Sequence, residues 1–122
     1  MTSAQAIQES MPQFTGSERF VKWTFGQHVL SEGAQYIAES AQAYWLFDAI
    51  ISHVISFRGK HTHIQAKLFT KGDQATLILD DMDGNAIATQ KIPYTDFPLK
   101  EVTIWAVQSG PKAYTLMLPT EY

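Results

Sequence analysis

The hydrophobic pattern of this chain changes its period at Gly59, and that change limits the class of fold open to it. Before Gly59, Ala34 and Ile37-Ala38 recur at helical spacing behind Ser31, a natural N-cap, and predict a helix over about residues 31–40. A second helix over about residues 42–56 follows, either separate from the first or continuous with it through a break near residues 40–42. Gly59 stops it, and Arg58 and Lys60 suit the negative end of its dipole. After Gly59, Ile64, Ala66 and Leu68 alternate with Gln65, Lys67 and Phe69, and Leu77 and Leu79 alternate with Thr76, Ile78 and Asp80. Asp83-Gly84, or Gly84-Asn85, supplies the positive backbone angles of a tight hairpin. Ala86–Ile92 returns and Pro93 ends that strand. Val102, Ile104 and Ala106 form the next, and Ser109-Gly110-Pro111 turns into Leu116 and Leu118. The pattern predicts an α+β fold, with N-terminal helices packed on one face of an antiparallel meander of about five strands.

At 122 residues the chain fits one domain, read as a flexible arm over 1–13 followed by a single α+β domain over 14–122. Zero cysteines exclude disulfides, thiolate zinc sites and thiol nucleophiles together. The formal charge of −3 argues against a general nucleic-acid binder, which normally shows a basic excess. No apolar run reaches the roughly 18–20 residues a membrane span needs, and the N-terminus lacks the basic start of a signal peptide. The expectation is a soluble, cytoplasmic protein without a membrane partner. No phosphate-cradling glycine loop, nucleophile elbow or zinc-protease helix is present, and no cofactor is implied.

The segment Ala43-Tyr-Trp-Leu-Phe-Asp-Ala-Ile-Ile-Ser-His53 is apolar nearly all round, with one carboxylate in its middle. A helix of that composition is normally buried, and a buried carboxylate must find partners or take a proton. Asp48 is therefore the candidate acid or base. His53 is the second candidate, although five residues at ~100° each point it about 140° away, which argues against a direct dyad on one helix. His28 could assist from elsewhere in the fold. The competing reading makes Asp48 a structural acceptor of hydrogen bonds.

His61 and His63 form an H-x-H pair on a strand, where period two puts both rings on one side as candidate metal ligands. Asp80, Asp81 or Asp83 could complete such a site. The Asp80–Asn85 run fails the calcium-loop pattern, because position six from Asp81 is Ala86 and position twelve is Ile92. Arg58, Lys60, Lys67 and Lys71 precede the aspartates, and cross-strand pairing of signs would account for both runs. A phosphate or nucleic-acid contact by the basic stretch is the sharper alternative. Tyr94, Asp96 and Phe97 in a proline-bounded loop, with Trp23 upstream, are candidate binding residues.

Four strings, Phe14-Thr-Gly-Ser-Glu18, Ala43-Tyr-Trp-Leu-Phe-Asp-Ala-Ile50, Ile92-Pro-Tyr-Thr-Asp-Phe-Pro-Leu99 and Leu118-Pro-Thr-Glu-Tyr122, carry a resemblance. The chain resembles an uncharacterised family of small bacterial proteins, some phage- or plasmid-associated, of unknown function. That resemblance implies small size and one domain, and no chemistry. The residues themselves suggest an interaction or accessory protein, a homo-oligomer or the binder of a protein partner. The motivation is that the aromatics at Phe20–Phe25, Tyr94–Phe97 and Tyr122 exceed what one small core absorbs. The alternative is an enzyme or small-ligand binder with a pocket between helices and sheet, using Asp48.

Overall fold

The computed structural model describes residues 3–15, 20–22, 28–57, 60–110 and 113–122, with side chains undescribed at 20–22 and 110. Among the described residues three helices, α1 (Ala4–Ser10), α2 (Glu32–Ser40) and α3 (Tyr44–Val54), accompany seven strands. The strands are β1 (Phe20–Lys22), β2 (Val29–Ser31), β3 (His63–Lys71), β4 (Gln74–Asp80), β5 (Ala86–Ile92), β6 (Glu101–Gly110) and β7 (Ala113–Met117). They form one sheet in the order β1-β2-β7-β6-β3-β4-β5. The α+β class stands, but the sheet is neither five-stranded nor strictly antiparallel. The pair β2–β7 is parallel, with Val29 beside Thr115 and Leu30 beside Leu116. The chain also leaves the meander after β5, returning to place β6 on the far side of β3. Strands β1 and β2 have three residues each, too few for period two to register in the sequence.

Ser31 caps α2 as its position predicts, its Oγ accepting from Ala34 N at 3.1 Å. The chain does break between the two helices. Gln42 takes a left-handed φ of 51°, Ala43 N bonds Ala38 O at 2.9 Å and Gln42 N bonds Glu39 O at 3.3 Å. Those two bonds are a Schellman termination, with glutamine where glycine is usual. Gly59 and Arg58, expected to end the second helix, lie outside the described residues; α3 gives way to a short 3₁₀ turn over Ile55–Phe57.

Within the segment expected to be a loose arm, Ser3 caps α1 and Ile7 is wholly buried. Ala4 and Met11, at helical spacing on either side of Ile7, pack against the same core and help dock the short helix. The core is one cluster. It joins Ile7, α2 residues Ala34, Ile37 and Ala38, and α3 residues Leu46, Phe47, Ile50, Ile51 and Val54 to the inward positions of β3, β4, β6 and β7. Along β3 the inward set is Ile64, Ala66 and Leu68. The outward set His63, Gln65, Lys67, Phe69 and Lys71 is half-buried or exposed. No helix among the described residues is long and apolar enough to cross a membrane.

Candidate functional site

Helix α3 buries a stripe at i, i+1, i+4, i+5 and i+8, namely Leu46, Phe47, Ile50, Ile51 and Val54. Asp48 falls beside that stripe and is half-buried rather than buried, because the helix packs one face inward and keeps Tyr44 and Ser52 exposed on the other. His53 is half-buried, and its Nε2 donates to Gln90 Oε1 of β5 at 2.8 Å. That bond ties α3 to the outermost strand. Neither residue lines any of the three described hollows.

The loop 93–100 is anchored rather than loose. Thr95 N donates to Asp73 O at 2.7 Å, and Thr95 Oγ1 accepts from Phe97 N at 3.1 Å. Phe97 is buried, its ring edge-on to Trp45 with centroids 6.4 Å apart. Tyr94 is 73% exposed and Asp96 is exposed, so the loop presents one aromatic and one acid to solvent while a second aromatic plugs the core. Trp23 lies outside the described residues.

His28 is buried, and its Nδ1 accepts from Tyr114 N at 3.0 Å, which puts the proton of a neutral ring on Nε2. Its ring stacks on Tyr114, whose hydroxyl donates to Phe57 O at 3.2 Å and His61 O at 2.5 Å. These contacts close the turn entering β3. His61 and His63 line one hollow of about 480 Å³ with Lys60, Asp81 and Asp83. Their rings serve other contacts: His61 lies edge-on to Phe57, and His63 Nε2 shares a 3.0 Å hydrogen bond with the Tyr122 hydroxyl. Among the described residues no three histidine, aspartate or glutamate side chains gather closely enough to hold a metal ion. Asp81 closes the β4–β5 turn, accepting from Asn85 Nδ2 at 3.0 Å, Asp83 N at 2.9 Å and Asn85 N at 3.2 Å. Those bonds, Asn85 first and then Asp83, hold its carboxyl below the usual 3.8, with His61 adding a smaller attraction. The turn has positive φ at Gly84 and at Met82, where the sequence suggests Asp83 or Asn85 beside the glycine.

Among the described residues the buried carboxylate is Glu121, which sequence reasoning misses. Its Oε1 accepts from Ser31 Oγ at 2.6 Å and Leu118 N at 2.8 Å, and its Oε2 accepts from Gly33 N at 3.0 Å. It sits at the positive end of α2, against a backbone that only glycine leaves open. A Cβ at Gly33 would stand 2.5 Å from Oε1 and 2.8 Å from Leu118 Cδ1. Leu118 is local, but Gly33 and Ser31 are 88 and 90 positions away along the chain, beyond any local pattern.

The basic and acidic runs do lie on neighbouring strands, but the signs do not pair. Lys67 stands opposite Ile78 and Thr103, Lys71 opposite Gln74, and Asp80 opposite Gln65. On the same outward face Trp105 Nε1 donates to Gln65 Oε1 and Gln65 Nε2 to Asp80 Oδ2, both at 3.1 Å. The Tyr122 ring packs edge-on to Trp105 at 5.5 Å and to His63 at 5.7 Å. At the sheet's end β5 has β4 as its one partner among the described residues, so its other edge carries an open row of backbone donors and acceptors.

A protein-family model matches residues 5–122, and its description is a family of unknown function, DUF6876. None of the curated proteins matches the chain. None of the solved structures does.

Proposed function

The chain belongs to this family of unknown function, and from its geometry we propose that it works by contact, self-associating through the open edge of β5. The observation that carries this reading is the character of the edge. Ala86–Ile92 is seven residues long, contains no proline and has one charged residue, Lys91. Natural sheets usually blunt such an edge with charges, prolines or cover, because it templates pairing with another chain. The single irregularity, between Leu79 and Asp80 of the partner strand, lies at the Ala86 end and leaves Ala88–Ile92 in regular register.

A two-fold axis through Thr89 would set Ala88 opposite Gln90 and Ile87 opposite Lys91 in the two copies, with no like charges facing. Tyr94, two residues beyond the strand, is exposed. The bacterial, phage- or plasmid-borne setting implied by the sequence strings, the single domain and the cytoplasmic location belong to the same proposal.

Sedimentation velocity over a wide range of concentration tests it. The wild-type chain is expected to dimerise, and Thr89→Lys, at an exposed position, is expected to remain monomeric because it places like charges on the axis. A wild-type chain that stays monomeric throughout overturns self-association. A Thr89→Lys chain that dimerises like wild type overturns the β5 interface.

A further inference from the structure

We infer that the outward face of the sheet is a binding track for single-stranded nucleic acid. The alternation of β3 puts His63, Gln65, Lys67, Phe69 and Lys71 on this face. The register sets Trp105 beside Gln65, and Lys91 beside Thr76, which itself stands beside Phe69. Rings and cations therefore alternate along β3: the Trp105–Tyr122–His63 group, then Lys67, then Phe69, then Lys71, with Lys91 two strands across from Phe69.

Each part suits the chemistry of an unpaired strand. A base has an apolar π-face that stacks on an aromatic ring whatever its sequence, and the phosphate between two bases needs a cation. Trp105 stands level with Gln65, four positions from Phe69, so the two ring sites lie about 13 Å apart at about 3.3 Å per residue, with Lys67 midway between them. The Trp105 ring is held in place by its bond to Gln65, and Tyr122 by its contacts with Trp105 and His63, so the platform is set before a ligand arrives. Phe69 is 39% exposed and forms the wall of a hollow of about 290 Å³ lined also by Lys71, Gln74, Thr76, Lys91, Ile92 and Pro93, with no acid in its lining.

Two carboxylates share the face. Asp80 accepts from Gln65 Nε2 and from Met82 N, and Glu101 stands opposite Phe69 on β6. Their positions direct the phosphates over Lys67 toward Lys71 and Lys91, on the side of Phe69 away from Glu101. The chain's net charge of −3 gives no general attraction to polyanions, so binding is local and depends on the rings as well as the lysines. A duplex, whose bases are already stacked, offers this face its phosphates only. This inference uses the sheet face, and the self-association uses the β5 edge, so either can fail without the other.

Fluorescence anisotropy with labelled oligouridylate and oligothymidylate, a labelled hairpin duplex and a labelled mononucleotide tests it, first at low salt. The single strands are expected to bind, with log affinity falling against log salt at a slope of about −2, as three phosphate contacts at about −0.7 each require. Phe69→Ala is expected to weaken binding about tenfold through loss of one stacked base. Lys71→Glu should weaken it and flatten the salt slope. Circular dichroism confirms that both variants, altered at exposed positions, are folded. No single-strand binding at low salt overturns the inference. So does duplex or mononucleotide binding as tight as that of the oligomers, or single-strand binding that ignores both substitutions.

Discussion

At the scale of single residues, the acid that matters to this fold is placed by contacts the helix pattern does not contain. Asp48 lies on the flank of α3, whereas Glu121 satisfies three donors in the interior at once. Truncating it leaves Ser31 Oγ, Gly33 N and Leu118 N without their acceptor, so Glu121→Ala is expected to cost about 3 kcal/mol, measured by urea denaturation. Glu121→Gln, which keeps one acceptor oxygen, should cost less. Asp81 contributes differently. Its carboxyl is held below 3.8 in the folded chain by Asn85 and Asp83, so its bonds favour folding when it is ionised. That contribution is present above about pH 3.8 and is lost as pH falls through the lower folded value. Amide exchange at Asp83 and Asn85 is accordingly expected to accelerate below that pH, ahead of the exchange within β4; equal acceleration in both would refute a local effect.

At the scale of elements, the α2–α3 junction departs most clearly from its best local sequence. The Schellman turn after Ala41 places Gln42 at φ 51°, a conformation that glycine adopts without strain. Gln42 is exposed and its side chain is not needed for the turn, whose bonds are backbone to backbone. Gln42→Gly is therefore expected to raise stability by up to about 1 kcal/mol, seen as a higher denaturation midpoint. A loss of stability would mean that the glutamine side chain supports the break in some other way. Helix α3 teaches a related lesson. Its apolar residues run nearly all round, yet the described structure buries one stripe, with Trp45 resting on Phe97 and His53 tied to Gln90. Such a helix reads as fully buried because tryptophan and tyrosine count as apolar, although both can sit at a boundary with one edge wet.

At the scale of the whole molecule, which strand lies at the margin and which side chains share a face follow from strand order. Because the chain doubles back to put β6 beside β3, two long strands fill the middle of the sheet and β5 is left at its margin. The same return brings Trp105 next to Gln65 and lets Tyr122 fold over both Trp105 and His63. Helical spacing and period two are local properties of the chain. They made α2, α3, the inward residues of β3, β4 and β6, the Ser31 cap and the Gly84 turn readable from the amino-acid sequence alone. Strand order, the parallel β2–β7 pair, the docking of Ile7 and the burial of Glu121 depend on which distant segments meet. Such meetings are selected by the packing of the whole core, where the loss of apolar surface outweighs any local preference, and so only the tertiary structure decided them.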